Sequence, residues 1–239
     1  MPGNLELHCV LFVFLLSLTP RLVEILMLKY KIVPVTPYQQ NCSVVWCEQT
    51  KEAAVIDPGG EIERIIAEVK ALQLTVTKIL LTHGHMDHVG GTSQLKALLD
   101  VPVIGPHKED LFWLAALDQQ AQMMNFAPVQ SFEPDQWLND GDTLSLGQCV
   151  FEVLHCPGHT PGHVVLFERG AQLAFVGDVL FKGSIGRTDF PRGDHAMLVN
   201  AIKTKLWPLG DQVRFVPGHG PMSTFGEERL HNPYVGNYG

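Results

Sequence analysis

The chain has 239 residues, 46% hydrophobic and 18% charged, which supplies enough apolar surface for a packed core and excludes a disordered segment. Seventeen basic against 25 acidic residues leave a formal charge of −8, which argues against a nucleic-acid backbone as the main partner. The five cysteines (Cys9, Cys42, Cys47, Cys149 and Cys156) are odd in number and form no C-x-x-C pair, so they read as reduced, mostly buried thiols of a cytoplasmic protein.

The apolar stretch Cys9–Leu18 has the look of an export signal core. Yet Met1–His8 contains Glu6 and no Lys or Arg, and Ser17-Leu18-Thr19-Pro20-Arg21 offers no small-x-small cleavage site. The stretch is also too short for a membrane span, which takes about 20 residues. Met27 directly precedes a strand-like segment, so residues 1–26 read as an extension outside a single domain over 27–239. The rival reading is a true export signal or anchor.

From there the pattern is regular. Lys29–Val35, Cys42–Glu48 and Ala53–Asp57 read as strands, with Asp57-Pro58-Gly59-Gly60 a turn. Glu61–Leu72 carries apolar residues at 62, 65, 66, 69 and 72, a helical spacing. Val76–Thr82 reads as a buried strand, Gly91–Leu99 as a helix and Val101–Ile104 as a strand. Lys108–Met124 is long enough for one helix with an apolar stripe. Thr143–Leu146, Gln148–His155, His163–Phe167 and Gln172–Val176 read as four strands. Asp194–Leu206 reads as a helix capped by Asp194, and Val213–Val216 as the last strand. Strand runs followed by helices, in two halves, predict two sheets with helices outside them.

The chemistry-bearing segments sit at predicted strand ends. The strand over 76–82 runs into Thr82-His83-Gly84-His85-Met86-Asp87-His88, three imidazoles and a carboxylate in six positions. Neutral imidazole and carboxylate suit zinc, iron or manganese without any thiolate. Three further strands end in donors beside glycine or proline: Pro157-Gly158-His159-Thr160-Pro161-Gly162-His163, Gly177-Asp178 and Pro217-Gly218-His219-Gly220. Glycine and proline fix sharp turns that aim a side chain off a sheet edge. His155 and His163 flank His159 and compete with it as donors; the Pro-Gly turn before His159 favours that residue. Asp57 is either a turn former or a carboxylate that orients a ligand histidine. Cys156 reads as packed rather than catalytic.

This ordered set resembles the metallo-β-lactamase superfamily and, within it, the glyoxalase-II-like hydrolases of the compact, single-domain YcbL-type branch. The resemblance runs from about Met27 to the C-terminus. It implies an α/β fold, an αββα sandwich of two mixed β-sheets with helices on the outer faces and two divalent metal ions at one edge. It further implies that His83, His85 and His159 bind one metal, that Asp87, His88 and His219 bind the other, and that Asp178 bridges them. Zinc is the metal expected, with iron and manganese compatible with the same donors.

The activity implied is hydrolysis of S-D-lactoylglutathione or a related small-molecule thioester by a hydroxide held between the metals, with Asp87 and Asp178 as the catalytic carboxylates. A thiolate with a free pKa near 8.5 leaves with little protonation, which suits a site where no general acid stands out. Longer glyoxalase II enzymes carry a C-terminal helical domain with basic glutathione contacts, and a Lys and a Tyr after the bridging aspartate. Only twenty residues follow His219 here, and the matching stretch is Phe181–Phe190. Arg187 and Lys182 are the candidate substrate contacts, with Arg192 a further cation nearby. The alternatives are a mononuclear-iron persulfide dioxygenase on His83, His159 and Asp178, or a metallo-hydrolase of another ester, lactone or phosphodiester.

Overall fold

Strand propensity and burial set the first sheet of the computed structural model, which describes residues 27–237; the predicted extension 1–26 lies outside the described residues. β1 (Leu28–Val35), β2 (Gln40–Cys47), β3 (Glu52–Ile56), β4 (Thr75–Leu80) and β5 (Val103–Ile104) pair in that order. The pairing is antiparallel from β1 to β3 and parallel from β3 to β5. The second sheet uses β6 (Thr143–Leu146), β7 (Cys149–His155), β8 (Val164–Glu168), β9 (Leu173–Gly177), β12 (Arg214–Pro217) and β13 (Ser223–Thr224). Its order is β13-β12-β9-β8-β7-β6, with only β9 and β12 parallel. A small hairpin, β10 (Leu180–Phe181) and β11 (Ser184–Ile185), follows β9.

Strand alternation sorts the apolar residues into layers. On β2, Val45 joins Phe151, Leu166 and Phe175 between the sheets, while Val44 faces outward to Ile62, Ile65 and Val69 of α1 (Ile62–Ala71). On β8, Val164 and Leu166 face inward. Val165 and Phe167 face Leu198 of α6 (His195–Ala201) and Phe225 of α7 (Phe225–His231). The four layers are helix, sheet, sheet, helix, as the resemblance implied. The predicted stripe of α1 is the buried one, with Ile66 and Leu72 packed at its margin.

The structure corrects the sequence reading in several places. Lys108–Met124 is not one helix: a 3₁₀ turn over Lys108–Asp110 leads into α4 (Leu111–Leu114) and α5 (Leu117–Met124). The break lies where the Trp113 carbonyl accepts from Ala116 N–H and from the Gln120 side chain rather than continuing the helical ladder. The four-residue α2 (Met86–Val89), which precedes α3 (Thr92–Leu99), went unread because its positions hold metal donors instead of a periodic apolar stripe. Asp194 does cap α6, accepting from Met197 N–H at 2.9 Å, but after Ala201 the helix loosens into a π turn over Ile202–Leu206. Val213–Val216 is not the last strand. β13 and α7 follow it, β13 being too short to show a period of two, and Thr224 caps α7.

Among the described residues no helix is long and apolar enough to cross a membrane. Cys42, Cys47, Cys149 and Cys156 are free and buried. Phe151 is fully buried between the sheets against Phe175. Phe151→Ala is expected to cost about 3–5 kcal/mol of stability, read as a lower denaturation midpoint at unchanged slope.

Candidate metal centre

All the donor loops leave the same sheet edges. Thr82–His85 follows β4, the His155–His163 loop joins β7 to β8, Asp178 follows β9, and Gly218-His219 follows β12. His85 is the extended residue that opens α2, so Asp87 and His88 project from the first turn of that helix. Two glycines make the approach of these loops feasible. A Cβ at Gly218 would lie 2.0 Å from Asp178 Oδ1, and one at Gly59 would lie 1.7 Å from the Asp87 carbonyl oxygen.

The donors gather into two groups. His83, His85 and His159 form one, and Asp87, His88 and His219 the other, with the ligand atoms of each within 4.8 Å of one another. In the first, His85 Nδ1 lies 3.0 Å from His159 Nε2. In the second, Asp87 Oδ2 lies 3.1 Å from His219 Nε2 and 3.9 Å from His88 Nε2. Asp178 stands between them: Oδ1 is 3.3 Å from His88 Nε2, and Oδ2 is 3.5 Å from His159 Nε2 and 3.8 Å from His219 Nε2. Asp57, His83 and His88 form a third such cluster. The Asp57 carboxylate is already engaged, however, accepting from Thr82 N–H at 2.7 Å, Thr82 Oγ1 at 2.5 Å and His88 Nδ1 at 2.9 Å.

The opposite ring nitrogens show which way each imidazole faces. His88 Nδ1–H donates to Asp57, His159 Nδ1–H to the Arg187 carbonyl at 2.7 Å, and His219 Nδ1–H to the Tyr38 carbonyl at 3.0 Å. Thr82 gives its hydroxyl proton to Asp57, so its oxygen accepts from His83 Nδ1 at 3.1 Å. The Nε2 of these four is thereby left turned to the centre, the arrangement that second partners impose on metal-ligating histidines, while His85 turns Nδ1 toward His159. His163 differs. Its Nε2 accepts Asp178 N–H at 3.0 Å while its ring stacks on His83 at 4.6 Å, so it holds the bridge position rather than joining a donor group. His155 is turned away, bonded to the Pro161 carbonyl and stacked on His107.

The residues fit a pair of cations. His83 Nε2, His88 Nε2 and Asp178 Oδ1 are buried, yet none makes a hydrogen bond. Buried polar atoms left in that state cost free energy unless something else engages them. Burial, and then neighbouring imidazoles, push His83, His85 and His163 well below the ordinary histidine range. Burial also lowers His159, against Asp178. Burial opposes the charged form of His88 and His219 too, but the Asp87 and Asp178 carboxylates win and raise both. Asp178 in turn is held far below the usual carboxylate range, since His88, His159 and His219 outweigh its burial.

A cleft of about 740 Å³ opens onto His85, Asp87, His159, Asp178 and His219. Arg187 sits on its rim, forked onto Asp189 at 3.0 and 2.7 Å and stacked over Phe190 at 4.6 Å. Lys182 lies at the exposed tip of the β10–β11 hairpin and does not line the cleft. Arg192 pairs with Glu109 and lies over Phe112.

The sequence profile of the metallo-β-lactamase superfamily matches residues 35–219. The chain belongs to the metallo-β-lactamase superfamily. It is 48% identical over 206 residues to the hydroxyacylglutathione hydrolase GloC of Haemophilus influenzae, covering 86% of this chain and 97% of that protein. Among solved structures it is similar to the B3 metallo-β-lactamase BLEG-1, with a TM-score of 0.80 and 38% identity over 87% of this chain and 99% of that one. It is also similar to TTHA1623, solved in a di-iron-bound form, with a TM-score of 0.78 and 37% identity over 85% and 99% of the two chains.

In this superfamily member two buried side chains outside the motifs fasten the donor loops. Asp110 accepts from Gly84 N–H at 2.8 Å, Thr160 Oγ1 at 2.8 Å and Gly162 N–H at 2.5 Å, which ties the β4 loop to the β7–β8 loop. Burial pushes its carboxyl up to about 6 against those three donors. Gln120 accepts from Met86 N–H and donates to the Gly84 and Trp113 carbonyls. Neither had a local signal, being a single polar residue in a stretch that reads as an amphipathic helix. Asp110→Ala strands three buried donors and is expected to cost about 3 kcal/mol in urea unfolding, with Asp110→Asn recovering part of the loss.

Proposed function

We propose that the protein is a binuclear metal-dependent thioesterase of the glyoxalase II type, acting on S-D-lactoylglutathione or a related acyl thioester. The observation that carries this reading is Asp178, whose carboxylate stands between the two donor groups, with Oδ1 near His88 and Oδ2 near both His159 and His219. On this reading His83, His85 and His159 hold one cation, Asp87, His88 and His219 hold the second, and Asp178 reaches both. The similarity to the Haemophilus influenzae hydroxyacylglutathione hydrolase supports the thioester substrate. Zinc is the metal proposed; iron and manganese accept the same donors. When bound, such cations acidify water and polarise an acyl carbonyl.

The chain's own groups do the rest. Asp87 and Asp178 both line the cleft, and their carboxylate oxygens are proposed to orient the attacking water by accepting its hydrogen bond. Their two negative charges also offset part of the charge of two divalent cations. Trp113 and Phe190 pack edge-on against His85, with ring centroids 4.5 and 5.0 Å away, and keep solvent from that side. A thioester suits this set because a thiolate leaves with little protonation. A single iron on His83, His159 and Asp178 would leave Asp87, His88 and His219 clustered without a task. Residues 27–239 are the proposed hydrolase domain, with 1–26 outside it. The buried, unpaired thiols of Cys42, Cys47, Cys149 and Cys156 favour the cytoplasm as its compartment.

Elemental analysis of the purified protein is expected to give two divalent ions per chain. Asp178→Ala should lose them and lower turnover of S-D-lactoylglutathione by more than about a hundredfold. Full turnover in metal-free Asp178→Ala would refute the scheme. Chelation of the native protein should abolish activity, and re-addition of zinc should restore it.

A further inference from the structure

We infer that the acyl group of the preferred thioester is extended and apolar, and that it lies along the wall built by α4 and α5. This rests on the thioesterase reading and names the substrate class within it. That wall of the cleft presents Phe112, Trp113, Met123 and Met124, and Tyr38 from the β1–β2 turn stands beside it. Tyr38 is 50% exposed, Phe112 43% and Met123 88%. Large apolar side chains scattered singly over a surface need no explanation, but these converge on one reaction centre. Tyr38 is stacked on Phe126 at 5.8 Å, which fixes its ring, while the two methionines supply a surface that adapts to chains of different shape.

The polar inventory of the cleft points the same way. On the α5 side the polar lining is Gln119, an exposed amide without charge, and Gln120, whose amide is committed to Met86, Gly84 and Trp113. Arg187 is the lysine or arginine among the lining residues; it lies over Phe190, which also neighbours Trp113 at the near end of the wall (6.2 Å between centroids), and it is already paired to Asp189. Glutathione carries two carboxylates and an ammonium group, for which the wall, with the uncharged Gln119 amide exposed on it, offers no counter-charge. The thiol half of the substrate therefore belongs on the Arg187 side, and the acyl half on the apolar side. A lactoyl group, with three carbons and a hydroxyl, leaves most of that wall uncovered.

The test is a chain-length series on the metal-loaded full chain, with S-lactoyl-, S-acetyl-, S-butanoyl-, S-hexanoyl- and S-octanoylglutathione. kcat/KM is expected to rise about twofold to fourfold per added methylene, and the hexanoyl ester to exceed the lactoyl ester. Calorimetry with the unreactive S-methyl- and S-hexylglutathione should show the same order in Kd. Phe112→Glu and Met123→Glu should flatten both dependences. A flat series, a lactoyl optimum, or a slope untouched by both substitutions would overturn the inference and leave the thioesterase reading standing. Absence of turnover on every thioester would overturn the reading itself.

Discussion

The carboxylate of Asp57 joins the end of β3 to both ends of the Thr82–His88 segment, 25 and 31 residues further along the chain. It sits at the end of β3, receives the backbone and side chain of Thr82 at the end of β4, and receives His88 from α2. Through Thr82 it also reaches the far nitrogen of His83. One buried anion thus sets the spacing of two parallel strand ends and the facing of two imidazoles. Removing a charge from such a place leaves its partners desolvated and unpaired, so the loop geometry and the donor geometry fail together.

A second buried anion, Asp110, repeats the arrangement across the other side of the centre, between the loops that carry His85 and His159. The two carboxylates divide the work. One fixes which nitrogen of an imidazole turns inward, and the other fixes how far apart two loops stand. The imidazoles between them are packed ring to ring, His83 lying 4.1 Å from His88 and 5.0 Å from His159 between centroids. Like-charged or neutral rings gain little from such proximity in a dry site, which is why the cluster makes sense as a cation holder and as little else.

What was legible in the sequence follows a physical division. His83, His85, Asp87 and His88 lie within one loop, and His159, Asp178 and His219 each stand beside a glycine or proline that announces a turn, so the donors could be read from local chemistry. The layered fold was legible because strand alternation and the α1 stripe are local periods. Asp110 and Gln120 were not, since their meaning lies in partners 26 to 52 residues away. The break between α4 and α5 was hidden for the same reason: Gln120 competes for a carbonyl that propensity alone assigns to a helix. Arg187 is a candidate substrate contact from its position after Asp178, and the structure adds that its charge is shared with Asp189, two residues on.

The β1–β2 turn is stitched to the loop after β12. His219 Nδ1 bonds to the Tyr38 carbonyl across 181 positions, and Asn41 donates to the Pro217 and Gly220 carbonyls. This closure has a temporal consequence during synthesis. A nascent chain synthesised as far as Asp178 carries His83, His85, His159 and Asp178, but the second donor group lacks His219 until β12 has been made as well. Contacts of such sequence separation form late. The second donor group is therefore completed only when the loop after β12 meets the β1–β2 turn, and a chain truncated before β12 retains an incomplete donor set.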